Sequence, residues 1–250
     1  MYNINICHMY PDLLNLYGDY GNITALKKRL EWRGIDVSIK AISLCDAFVP
    51  DEYDIVFLGG GQDYEQDILH RDLLDLKKES IIESVENGVV FLCICGGYQL
   101  MGKYYTTQNH KEIECLGVMN HWTENSEKRN TGNLIFSMEG LKQHPNGYVV
   151  GFENHSGKTY LGDGVSPLGK VICGYGNNGE DGYEGARYKN VFCSYSHGSL
   201  LPKNPGLTDE LISLALKRKY KDFVSLQPLE DHLETSAREK LIKRFTANSK

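Results

Sequence analysis

Residues 89–94 read VVFLCI, an unbroken apolar run that stops at Cys95-Gly96-Gly97. A strand that is apolar on both faces has to be covered on both faces. A central strand of a parallel sheet, with helices packed above and below, meets that condition. The flanking segments agree with it. Residues 3–7, 37–42 and 54–58 are strand-like, and the last (DIVFL) ends in Gly59-Gly60-Gly61. After a loop at 17–22, residues 23–33 place Ile23, Leu26, Leu30 and Trp32 on one apolar side, with Gly34 as the stop. Residues 63–87 form a long helical stretch, broken once near 71 and ended by Gly88. This β-α-β-β-α-β order predicts an α/β fold, a mostly parallel sheet flanked by helices on both faces.

The rest of the chain is less regular. Residues 104–190 are rich in turns and short strand-like pieces (NLIFSM, YVVGFE, KVICGY), and 174–182 read as a hairpin or loop. Residues 191–196 look like one more strand, and 206–219 and 229–246 like two closing helices. With no repeat or low-complexity linker, a single domain over 1–250 is expected, its core within about 1–205. The chain is 41% hydrophobic and 24% charged with net charge −6, as in an ordinary globular protein. No basic stripe offers a nucleic-acid footprint. No run approaches the roughly 18 apolar residues of a membrane span, and MYNINICHMYPD lacks a secretory pattern. The 7 cysteines are odd in number and none has CxxC spacing, so a cytoplasmic protein without a disulfide framework is expected.

Cys93 and Cys95 invite a redox or metal reading, but a metal pair would need two further ligands at matching spacing. Cys93 lies within the apolar strand and reads as packing. Cys95 stands where strand turns into helix, above the sheet edge, with two glycines that permit a tight turn. That is the layout of a nucleophile elbow with Cys in place of Ser. A helix end alone lowers a thiol pKa by roughly 1.5 units, so a base is still wanted. Two histidines stand beside glycine at strand ends, His197 in SYSHGSLLP and His155 in GFENHSGKTY. His197 follows a strand directly and is the better candidate; the remaining histidines read as surface residues. Gly59-Gly60-Gly61 between strand and helix can turn backbone N–H groups toward an oxyanion. Ser156-Gly157-Lys158-Thr159 is not a phosphate loop: the first glycine falls one residue early and no long helix follows.

Taken together, CGGYQLMG at 95–102 and Ser196-His197-Gly198 resemble the class I glutamine amidotransferases, in their cobyric-acid-synthase-like branch. The blocks NLYGDYGNITALKKRLEWRGI (15–35), LGGGQDYEQD (58–67), GFENHSGKTYLG (151–162) and YSHGSLLPKNP (195–205) are more narrowly similar to the glutamine-hydrolysing subunits of lipid II isoglutaminyl synthases. The resemblance implies that Cys95 attacks the side-chain amide of L-glutamine and that His197 handles the proton. It implies an oxyanion site at Gly60, Gly61 and Gly96, and substrate contacts from Gln99 and from Arg129, which would grip the glutamine carboxylate. It also implies a Mur-ligase-like, MurT-type partner that holds ATP and Mg²⁺, with no cofactor in this chain. Ammonia would then amidate D-glutamate in the lipid II stem peptide. Two positions depart from the pattern: Ser199 stands where many class I enzymes carry the triad Glu, and Tyr64 where a basic residue is expected. The narrower group shares the first departure, which implies an acid supplied by the partner. An amidotransferase of cobalamin-type synthesis, a DJ-1-like thiol protein and a non-catalytic binding module are the rival readings.

Overall fold

The structure, a computed structural model, describes residues 2–61, 63–107, 109, 111–141 and 147–246. His110, His144 and the Tyr64 side chain lie outside the described residues. The strands are Asn3–Met9 (β1), Asp36–Ile42 (β2), Ile55–Leu58 (β3), Val90–Ile94 (β4), Tyr104–Thr106 (β5), Glu112–Glu114 (β6), His121–Ser137 (β7), Tyr148–Leu161 (β8), Gly169–Cys173 (β9), Tyr183–Glu184 (β10), Ala186–Tyr188 (β11) and Val191–Ser194 (β12). The helices are Tyr20–Glu31 (α1), Asp63–Asp72 (α2), Lys78–Glu86 (α3), Gly96–Leu100 (α4), Leu200–Lys203 (α5), Pro205–Lys219 (α6) and His232–Thr246 (α7).

The expected sheet is present, in the order β11-β12-β4-β3-β1-β2. Every pairing in it is parallel except β11 with β12. All of β4 is buried, as its double-faced apolar run requires. α6 packs on β3 and β4, and α1 packs on α5 and α6. Arg29 of α1 is buried and donates through Nε and Nη2 to both oxygens of Asp209 in α6, at 2.7 Å each. Its Nη1 reaches Asp231 at 2.6 Å. A forked guanidinium between two carboxylates fixes α1, and with it the loop that leads into α1. Trp32, read as part of the apolar side, sits past the end of α1 and is 60% exposed.

A second sheet goes beyond the short pieces expected in the middle of the chain. It runs β10-β9-β7-β5-β6, with β8 also paired to β7. Its spine is the long antiparallel β7–β8 hairpin, whose register shifts between Asn125 and Asn130. Residues 121–132 are polar apart from Trp122, so they carry no apolar alternation to mark a strand, although His121, Thr123 and Asn130 are buried. Lys158 and Thr159 lie inside β8, with Lys158 paired to Glu180 at 2.6 Å, which agrees with the rejection of a phosphate loop. The break in the 63–87 stretch is a π turn at Leu73–Lys77. There the buried Lys77 pairs with Asp72, which also accepts from Tyr10 Oη at 2.7 Å. No described helix is long and apolar enough to cross a membrane.

Candidate active site

Cys95 sits between β4 and α4 with φ 50° and ψ −102°. A non-glycine residue in that region is strained, and such strain is held only where neighbours fix it. Here Cys95 N–H donates to Ser194 O at 2.9 Å, and Gly97 N–H donates to Gly59 O at 3.1 Å. A Cβ on Gly97 would lie 2.5 Å from Leu58 O, so only glycine lets α4 start this close to β3. Cys95 is 8% exposed, whereas Cys93 is fully buried, in register with Leu58 on one side and Cys193 on the other. The two cysteines sit in separate environments. The helix following the elbow has only 5 residues, so its dipole is a minor source of charge stabilisation.

His197 lies just past β12. Its N–H donates to Phe152 O at 2.6 Å and its carbonyl accepts from Phe152 N at 3.3 Å, which ties the β7–β8 hairpin to the site. A Cβ on Gly151 would strike Ser196 Oγ at 1.6 Å, so glycine is required for this approach. The His197 ring is fully buried, and neither ring nitrogen has a hydrogen bond among the described residues. A Cβ placed on Gly60 would lie 2.8 Å from His197 Cε1 and 3.4 Å from Cys95 Cβ, so the two side chains flank one glycine. Burial alone would lower the pKa of the ring; Cys95 first, then Asp19, outweigh it and raise the value to about 10. A charged imidazole beside a thiol favours a thiolate–imidazolium pair.

His155, the rival base, is a satisfied interior residue. Its Nδ1–H donates to Gly157 O at 2.7 Å, and its Nε2 faces the buried Glu153 at 3.4 Å. The ring stacks on Tyr195 at a centroid distance of 3.7 Å. Glu153 is itself held by the N–H groups of Tyr175 and Gly176, at 2.7 and 3.0 Å.

The other expected residues divide. Gly60 N–H, expected to face an oxyanion, instead donates to Asp19 Oδ2 at 2.9 Å. This corrects the expectation, because an N–H already engaged by a carboxylate does not serve a second anion. Gly61 remains on the same loop. Gly96 is the first residue of α4, where a helix has no internal acceptor for the N–H. Gln99 lies one turn along α4, largely buried, and its amide donates to Tyr195 Oη at 3.4 Å. Tyr195 Oη also meets Thr159 Oγ1 at 2.6 Å, so this contact joins Gln99 to an interior polar cluster. Arg129 is in strand β7. Its guanidinium bonds the Asn154 side chain and carbonyl, and Asn154 in turn bonds Tyr17 Oη. The Tyr17 ring is 4.9 Å from the His197 ring, which brings Arg129 to the rim of the site.

Asp19 is the functional candidate that the sequence does not disclose. An Asp in front of a helix normally reads as an N-cap. In the structure it makes no cap hydrogen bond and turns toward Gly60 and His197. Tyr17 escapes notice for a related reason: it stands in a polar loop that carries no periodic signal. Ser199, at the position of the usual acid, donates to Gly18 O at 2.5 Å. Among the described residues, no group of His, Cys, Asp and Glu could hold a metal ion.

Residues 5–205 match the family described as CobB/CobQ-like glutamine amidotransferase domain. Over 93% of its length the chain is 46% identical to the lipid II isoglutaminyl synthase (glutamine-hydrolyzing) subunit GatD of Streptococcus pneumoniae, covering 88% of that protein. It is 40% identical to GatD of Staphylococcus aureus, over 100% of this chain and 99% of that one. A probable cobyric acid synthase of Methanothermobacter thermautotrophicus is 31% identical over 65% of this chain, but the match takes in only 33% of that protein. Among solved structures, PurLQS from Thermotoga maritima superposes with a TM-score of 0.58 at 16% identity, covering 86% of this chain and 98% of that one. That likeness concerns the fold.

Proposed function

This chain belongs to the CobB/CobQ-like glutamine amidotransferase domain family, and from that premise we propose that it is the glutamine-hydrolysing subunit of a lipid II isoglutaminyl synthase. The observation that carries the chemistry is the strained Cys95 elbow set against the buried His197. The Cys95 thiolate attacks the side-chain amide carbon of L-glutamine and forms a C–S bond. The charge moves to the amide oxygen, toward the Gly96 N–H at the start of α4. The His197 imidazolium gives its proton to the amide nitrogen, the C–N bond breaks, and ammonia leaves a thioester. Neutral His197 then takes a proton from water. The resulting hydroxide opens the thioester, releasing glutamate and restoring the ion pair. Arg129, at the rim, grips the substrate carboxylate in this reading, exchanging its Asn154 contact for a bidentate one.

The ammonia is used elsewhere. The partner is a Mur-ligase-like, MurT-type subunit that binds ATP and Mg²⁺ and activates the carboxyl of D-glutamate in the lipid II stem peptide. Co-expression tests this. The chain is expected to co-purify with such a subunit. The complex is expected to transfer ¹⁵N from the side-chain amide of glutamine into the stem peptide in the presence of ATP. A chain that hydrolyses glutamine equally well alone, and transfers no label with any such subunit, contradicts the assignment.

A further inference from the structure

The geometry points to Asp19 as the positioning acid of this site: one oxygen holds the His197 ring toward Cys95 while the other fixes the Gly60 loop beside the nucleophile. The inference rests on the reading of Cys95 and His197 as nucleophile and acid–base pair. Asp19 is fully buried, and its Oδ1 has no hydrogen bond among the described residues but faces His197 Nδ1 at 3.7 Å. That separation is an ion-pair distance, longer than a hydrogen bond, and such contacts commonly tighten when substrate binds. A buried carboxylate oxygen without a hydrogen bond is costly unless an opposite charge faces it. Here the imidazolium is that charge.

The carboxylate is held in place by several independent contacts. Its Oδ2 accepts Gly60 N–H at 2.9 Å. Three residues before Asp19, Leu16 N–H donates to Gly60 O at 3.2 Å, so the loop and the glycine are stitched in both directions. Between these two contacts, Gly18 O accepts the Ser199 hydroxyl at 2.5 Å. A Cβ on Gly21 would lie 2.2 Å from Ser199 Oγ, so the start of α1 is packed tightly on Ser199. The position that carries an acid in many class I enzymes thus anchors the loop that presents one. The titratable groups around the His197 ring are Cys95, Asp19 and Tyr17, while His8 on β1 feels the Asp19 charge from the other side. Lys203 donates to Gly198 O at 2.5 Å, one residue along from the ring.

Asp19→Asn tests the inference in the assembled enzyme. The amide oxygen still accepts Gly60 N–H, so the loop is retained while the charge is removed. Glutamine hydrolysis is expected to lose about 100-fold in kcat, with KM within about twofold of the native value. The pH profile of Cys95 alkylation by iodoacetamide is expected to lose its level stretch through neutral pH and to climb with pH instead, because less imidazolium is left to hold the thiolate. A second measurement does not depend on that variant folding. In Cys95→Ala the thiol is gone, and the His197 ring, followed by NMR, is expected to titrate above the ordinary value of about 6.5. Burial without Asp19 would place it below. Native kcat and alkylation profile in Asp19→Asn, or a ring that titrates below 6.5, would each overturn the inference. If the Cys95→Ala complex still hydrolyses glutamine, the underlying reading of the site fails instead, and the ring titration still reports on Asp19.

Discussion

Cys95→Ala is expected to lower glutamine hydrolysis by the assembled enzyme by at least about 10,000-fold, read as the rate of glutamate release. The thioester needs a nucleophile at the elbow, and nothing else in the described site can take its place. Cys93 is only two residues away but is fully buried in β4. Its side chain cannot reach the sheet edge without moving the central strand. Alanine at position 95 inherits the same positive φ, so the backbone strain is unchanged and the fold is expected to persist. An unchanged thermal midpoint with lost activity separates chemistry from folding. A variant that retains activity would move the nucleophile elsewhere.

His197→Ala is expected to cost roughly 100- to 10,000-fold in kcat, the range for loss of a general acid–base group. His155→Phe is expected to leave kcat within a few-fold and to act on stability, since His155 bonds Gly157 O and stacks on Tyr195. The pH dependence follows from His197. The folded pKa of His197 is raised to about 10, so the protonated ring is favoured by the fold. The ring is therefore protonated at neutral pH and gives up its proton as pH rises toward 10. Cys95 alkylation in the native protein is expected to stay level across neutral pH. In His197→Ala it is expected to climb toward the ordinary thiol range near 8.5, because the thiolate has lost its cation. The same steep climb in the native protein would contradict the ion pair.

The parallel sheet and the elbow were legible because both are local. An apolar run of this kind admits few environments, and the two glycines after Cys95 mark the turn that lifts it to the sheet edge. The choice of His197 over His155 was only partly legible. Both histidines stand beside glycines, and it took the stacking on Tyr195 and the pairing with Glu153 to show that His155 is part of the interior. Three other features depend on contacts between distant segments. Residues 121–132 become a strand through pairing with β8, not through their own pattern. The Gly60 N–H turns away from an oxyanion because Asp19, 41 residues earlier, accepts it. Asp19 itself looks like a helix cap until the residue before α1 is brought against Gly60, just past β3. Local chemistry in the sequence identifies the nucleophile, whereas the groups that orient it come together only in the fold.

Covalent labelling tests the central claim most directly. The assembled enzyme is treated with 6-diazo-5-oxo-L-norleucine, a glutamine analogue that alkylates a nucleophile at the amide position, and the modified peptide is mapped by mass spectrometry. Stoichiometric labelling of Cys95, slowed by added L-glutamine and abolished in Cys95→Ala, is the predicted result. Labelling of Cys93 or another cysteine, or no labelling with the partner subunit bound, would contradict the account.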